Sequence, residues 1–178
     1  MQASVTRRLP VTDQLIRRSR LGWLARGNAA LADIGSALAP IAVRVALALP
    51  FLRSGLTRWD GWFNLAPATT YLFEEQFRLH LFGAQVAIPW PDQVAWLVAC
   101  AEIALPLLLL AGLATRVAAL GLLSMTVVIQ LVFPDGWANF HLYWAALALA
   151  AMAIGAGPVS LDRLLSTWER GGARSGGV

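Results

Sequence analysis

Six side chains within long apolar runs are the residues of this chain that could do chemistry. They are Arg44, Arg53, Glu102, Gln130, His141 and Trp144. Histidine is the side chain that exchanges protons most readily near neutral pH. His141 and Trp144 are three residues apart, so they share one face of a helix. An imidazole beside a stacking indole suits a quinone headgroup or another small polar ligand, and the six residues are therefore candidates for a polar ligand pocket.

The sequence contains no catalytic template and no metal-ligand motif. It has one cysteine, Cys100, and two histidines, His80 and His141. This excludes an intramolecular disulfide, a CxxC redox pair and a cysteine zinc site. The patterns GxSxG, HExxH and CxxCH and a glycine-rich nucleotide loop are also missing, and no helix pair offers axial histidines to a haem. Electron transfer would therefore require a bound quinone or a partner's cofactor.

The composition is that of a membrane protein. Of 178 residues, 58% are hydrophobic and only 13% are charged, against about 25% charged residues in a soluble domain. All 14 basic residues are arginine, and the isoelectric point is near 10.5. A basic chain could bind nucleic acid, but here the arginines flank apolar runs, and we expect lipid rather than nucleic acid as the partner.

Four apolar runs predict four transmembrane helices, at 37–56, 92–112, 115–133 and 138–156. A helix needs about 20 residues to cross a bilayer. A soluble bundle would need a polar stripe on each helix, and the last three runs have none. The predicted fold is therefore an all-α four-helix membrane bundle over 37–166, with a basic segment at 1–36 and a flexible tail at 167–178.

Arginine placement predicts the orientation of the bundle. Residues 1–36, the turn at 112–116 and the tail are basic, and basic loops stay cytoplasmic. Both termini are then cytoplasmic, and the connection at 57–91 lies outside with the turn at 134–137. The basic segment could be a helix on the anionic inner leaflet or a disordered tail that only fixes topology. The predicted outer helix ends carry an aromatic belt, namely Trp59, Trp62, Trp90 and Trp137.

The outer connection is long for a helical bundle. Its middle part, 69–82, can form an amphipathic helix with Glu74 and Arg78 as an i,i+4 pair. We expect this helix to lie at the outer interface or to cap the bundle, and it could equally form part of a site.

Counting residues from the outer helix ends places the polar groups in two layers. Arg53, Gln130 and His141 fall in the outer layer, whereas Glu102 and Arg44 lie deeper and differ by only ~5 Å in depth. We therefore expect an Arg44–Glu102 ion pair, which either fixes helix register or lines a pocket open to the outside. Arg53 falls on the opposite face of its helix from Arg44 and would snorkel or contact the loop.

Three stretches resemble the DoxX family. They are IAVR with FLRSGLTR at 41–44 and 51–58, AEIALPLLLLAGLATR at 101–116, and GPVSLD at 157–162. The resemblance covers about 38–166, with Arg58 where the family often has lysine. It implies a four-helix protein of the bacterial inner membrane.

The resemblance also implies a link with membrane redox complexes. One branch of the family looks like the membrane subunit of a thiosulfate:quinone oxidoreductase, and others accompany thiol or oxidative-stress enzymes. The expected function is a membrane subunit that anchors a redox partner and could offer a quinone or small-molecule pocket near the outer leaflet. Two alternatives stay open: a small-solute carrier or channel, formed by oligomers packed through small residues such as Gly112 and Gly121, and a structural assembly factor without a ligand.

Overall fold

The computed structural model describes the backbone of residues 11–175 and the side chains of Trp23 and residues 25–168. The chain forms helices α1 (Val11–Leu56), α2 (Pro67–Tyr71), α3 (Pro91–Ala111), α4 (Thr115–Val132), α5 (Leu142–Ile154) and α6 (Leu161–Ser175). A π-helical turn, Leu72–Gln76, continues α2. Before α5 the chain forms a 3-10 turn, Pro134–Gly136, and a second π-helical turn, Trp137–His141. Strands β1 (Arg78–Leu81) and β2 (Ala84–Ala87) form an antiparallel hairpin.

Within the described residues, four helices are long and apolar enough to cross a membrane, which confirms the predicted fold class. The spans are Ala25–Leu56, Pro91–Ala111, Thr115–Val132 and Pro134–Ile154. The chain is thus a multi-pass membrane protein surrounded by a lipid bilayer. The first span begins earlier than the apolar run at 37–56, because α1 continues without interruption from the preceding segment.

Internal contacts divide the chain into two units, 1–38 and 39–178. In the first unit the backbone is helical from Val11, and the side chains described from Ala25 to Leu38 are exposed. Most arginines of the predicted basic segment lie outside the described side chains, so its membrane contact stays a prediction. In the second unit, α6 continues to Ser175, so most of the segment predicted as a flexible tail is helical.

Small residues on α4 and α5 form part of the core of the second unit, beside larger side chains of α1, α3 and α4. Ala118 and Ala119 on α4 and Ala148 on α5 have no exposed surface. Small side chains let helices approach closely in a bilayer, where dispersion rather than water exclusion favours packing. Gly121 faces the side chain of Leu105 on α3. These small residues therefore serve helix packing within one chain rather than contacts between copies.

The register between α1 and α3 is set by two close approaches. A Cβ atom at Gly55 would lie 2.8 Å from Cβ of Glu102, and one at Gly112 would overlap the Arg44 guanidinium. The two helices are therefore antiparallel, and α1 ends at Leu56 opposite the middle of α3. About ten residues of α3, or ~15 Å, continue beyond that end.

The long connection, residues 57–90, packs beside this free part of α3. The π-helical turn Leu72–Gln76 contacts α3, and β1 contacts α4. The Nδ1 atom of His80 lies 3.1 Å from the Leu131 carbonyl oxygen, and the rings of Phe77 and Phe133 pack edge to face with centroids 5.3 Å apart. The connection thus takes the place that a longer α1 would occupy.

The predicted amphipathic helix over 69–82 is wrong in its second half. The helical part ends at Gln76, and Phe77 is extended with φ −78° and ψ 122°. Phe82 and Gly83 form the hairpin turn with φ values of 50° and 85°, as a two-residue turn that follows the strand twist requires. Arg78 donates to the backbone oxygen of Glu74 at 2.9 Å rather than to its carboxylate.

Candidate functional site

The predicted Arg44–Glu102 ion pair is wrong. Glu102 pairs with Arg58, whose Nη2 donates to Oε1 at 2.8 Å and whose Nε donates to Oε2. Arg44 instead donates from Nη2 to the Val159 carbonyl oxygen at 2.8 Å. The depth count failed because it placed the ends of α1 and α3 at the same height. In the observed register the Cα atoms of Arg44 and Glu102 are about ten residues, or ~15 Å, apart along the helix axes.

Arg44 is a buried structural cation at the other end of α3. Its side chain is 4% exposed and lies against Gly112, the C-cap of α3. A positive charge is stabilised there by the partial negative charge of the helix C-terminus. The hydrogen bond from Arg44 to Val159 also holds the closing segment, 157–162. In this segment Asp162 accepts hydrogen bonds from two backbone N–H groups where α4 begins, that of Ala114 at 2.8 Å and that of Thr115 at 3.2 Å.

Replacing Gly112 with alanine should therefore destabilise the protein by more than backbone strain alone. Gly112 has φ +66°, and its Cβ would lie 2.6 Å from Cβ of Ser160 and overlap the Arg44 guanidinium. Gly61 is a matched control, with φ +86° and no atom within 4 Å of its Cβ position. Gly61→Ala should cost about 1 kcal/mol and Gly112→Ala at least ~2 kcal/mol, measured by thermal unfolding in detergent. Equal losses would contradict this description of Arg44 and Ser160.

The Arg58–Glu102 pair is the polar centre of the bundle. The carboxylate is 2% exposed and the guanidinium 14%. Arg58 also lies over the ring of Phe73, with its Cζ atom 5.4 Å from the ring centroid, which is within cation–π range. Arg58, which lines a cavity with Glu102, is not among the six site residues predicted from the sequence. The available signal was its place in the family-like motif FLRSGLTR, one turn after the helix contact residue Gly55.

His141 and Gln130 are in direct contact, at the end of α4 and the start of α5. The Nδ1 atom of His141 lies 2.6 Å from Oε1 of Gln130, and the Gln130 amide nitrogen donates to the Pro134 carbonyl oxygen at 2.9 Å. The imidazole packs on Trp144 with ring centroids 5.4 Å apart. The predicted His141–Trp144 face is therefore observed, and Gln130 orients the imidazole from behind.

A cavity of about 460 Å³ lies between these groups. It is bounded by the end of α1, by the long connection, and by α3, α4 and α5. Its walls are mainly apolar and aromatic, and the polar groups on them are Ser54, Arg58, Glu102 and His141.

The six predicted site residues have different places relative to the cavity. Glu102, His141 and Trp144 line it, and Gln130 reaches it only through His141. Arg44 lies at the Gly112 end of α3, away from the cavity. Arg53 is exposed on α1 and makes no hydrogen bond or ion pair within the described part of the chain, so its predicted snorkelling or loop contact stays a prediction.

These features define a four-span helical membrane protein with an apolar cavity and an arginine–glutamate centre. The chain belongs to the DoxX family, whose model matches residues 39–135. No curated protein and no solved structure shows significant similarity to it.

Proposed function

We propose that the chain binds a quinone-like ring molecule in this cavity and thereby serves a membrane redox system as a non-catalytic subunit. The observation that carries the proposal is the cavity itself. Its volume of about 460 Å³ falls in the range of small-molecule sites, which are mostly apolar with a few placed polar groups. A ring with polar oxygens at its edge and an apolar body fits that arrangement.

The closed lower part of the bundle favours binding over transport. Leu47, Leu109 and Leu122 have no exposed surface. By the helix register they lie between the cavity and the Gly112 end of α3. A solute path through one chain would have to pass these three packed side chains, so a carrier or channel is the less favoured function.

The proposal also includes the orientation of the bundle in the membrane and a protein partner. Basic segments at both termini and at the α3–α4 turn favour a cytoplasmic location for that end of the bundle. The cavity would then lie in the outer half of a bacterial inner membrane. A protein partner would supply the redox cofactor, because the sequence carries no motif for one.

A cavity-filling variant tests the proposal. Ile129 on α4 lines the cavity, whereas Val127 on the same helix is 55% exposed and faces lipid. In nanodiscs, Ile129→Trp should weaken the binding of a short-chain ubiquinone by at least about tenfold, and Val127→Trp should leave it within about twofold. Calorimetric titration measures both. Absence of saturable binding by the unmodified protein, or equal effects of the two variants, would contradict the proposal.

A further inference from the structure

We infer that the cavity prefers a ligand that donates a hydroxyl hydrogen, such as a hydroquinone or a phenol, over the oxidised quinone. This inference rests on the proposed function and adds the substrate's redox form. It is carried by the contacts that Gln130 makes with Pro134 and His141 and by the pairing of Glu102 with Arg58.

The Pro134 carbonyl fixes the direction of the Gln130 amide. A carbonyl oxygen only accepts hydrogen bonds, so the group 2.9 Å from it must be the amide NH₂. The oxygen of Gln130 then faces His141. This agrees with the distance of 2.6 Å between Oε1 of Gln130 and Nδ1 of His141.

The direction of the amide in turn fixes the tautomer of His141. The Gln130 oxygen also only accepts, so Nδ1 of His141 must carry the hydrogen. In a neutral imidazole the second nitrogen, Nε2, then carries a lone pair and is a hydrogen-bond acceptor. Nε2 has no hydrogen-bond partner within the described residues, and His141 lines the cavity.

The Arg58–Glu102 pair supplies the complementary group. Each carboxylate oxygen of Glu102 accepts one hydrogen bond from Arg58 and keeps a further lone pair that can only accept. Arg58 keeps Nη1, a donor that makes no hydrogen bond to the described part of the chain. The cavity thus presents a donor on Arg58 and an acceptor on His141.

A hydroquinone satisfies both groups, whereas a quinone satisfies one. Each hydroxyl of the reduced ring accepts and donates, but a quinone carbonyl only accepts. An oxidised ring would bury the His141 lone pair without a donor, and an unmet polar group of this kind lowers affinity. We expect the reduced ring to bind about tenfold more tightly.

The tautomer can be read directly by NMR. In protein labelled with ¹⁵N-histidine and carrying His80→Asn, His141 gives the only histidine signals. We expect the hydrogen on Nδ1 in the ligand-free protein in nanodiscs. A hydrogen on Nε2 would overturn the inference whether or not any quinone binds.

The redox preference is tested by comparing two glutamine variants. Gln130→Leu removes the acceptor that holds the tautomer and should abolish the preference for a short-chain ubiquinol over the matching ubiquinone, both titrated without oxygen. Gln85→Leu is the matched control, because Gln85 contacts the other histidine, His80, and lies outside the cavity wall. It should keep the preference of about tenfold.

The outcomes separate the inference from the proposed function. Equal affinities of the unmodified protein for both forms would overturn the preference while leaving the site in place. Failure of both forms to bind would overturn the site, and with it the preference, whereas the NMR result would still report the tautomer.

Discussion

Arg58→Leu should destabilise the protein by about 3–5 kcal/mol, the loss found when one partner of a buried ion pair is removed. The variant leaves the Glu102 carboxylate, which is 2% exposed, without either hydrogen bond that it accepts from Arg58. The double variant Arg58→Leu/Glu102→Leu should recover most of the loss, because two apolar side chains of suitable size replace a pair whose desolvation cost was high.

A second pair of substitutions provides the control for this double-mutant cycle of Arg58 and Glu102. Arg44 is also buried, but it contacts Val159 and the end of α3 rather than Glu102. The losses from Arg44→Leu and Glu102→Leu should add to within about 0.5 kcal/mol. Unfolding in detergent, followed by circular dichroism, gives both coupling energies. Additivity for Arg58 with Glu102, or strong coupling for Arg44 with Glu102, would contradict the observed pairing.

The same substitution should have opposite effects at two glycines of α1. Gly35 has no atom within 4 Å of its Cβ position, so Gly35→Ala should stabilise the helix by about 0.5–1 kcal/mol. At Gly55 the Cβ would lie 2.8 Å from Cβ of Glu102 and 2.9 Å from its backbone carbon. Gly55→Ala should therefore destabilise by about 1–3 kcal/mol.

The loss at Gly55 follows from what it contacts. A flexible side chain could turn aside, but the backbone of α3 cannot move without changing the packing of the whole helix. The shift would also separate Arg58 from Glu102. Thermal unfolding of the two variants side by side gives the sign of each effect. A stabilising Gly55→Ala would contradict the close approach of α1 and α3.

The four spans were predictable because each is an apolar run of bilayer length, and the span ends at Pro91 and Thr115 lie within a residue of the prediction. The sequence places His141 and Gln130 in the same outer layer but does not predict that the two side chains are in contact. The partner of Glu102 was not predictable by counting, because counting gives depth along one helix and says nothing of how far α1 is offset from α3. That offset is fixed by the close approach at Gly55, which is visible only in three dimensions.

The connection shows a second limit of sequence periodicity. Residues 69–82 have a helical pattern, and the first part is helical as expected. The second part pairs as a hairpin because Phe77 packs on Phe133 and His80 binds the backbone of α4. Such tertiary contacts override local preference, and no pattern within the connection itself encodes them.

The end of α1 opposite the middle of α3 has a practical consequence for mapping which side of the membrane each segment occupies. The longest connection of a polytopic protein is the usual place for an epitope tag, but here most of it packs beside the first half of α3, which α1 does not reach. An insertion between Thr69 and Leu79 would disturb the wall of the cavity, because Phe73, Phe77 and Leu79 line it. We expect insertions to be tolerated at the bends around Trp62 and Phe82, whose side chains are 91% and 109% exposed and pack on no other part of the described chain, and a reporter placed there would report sidedness.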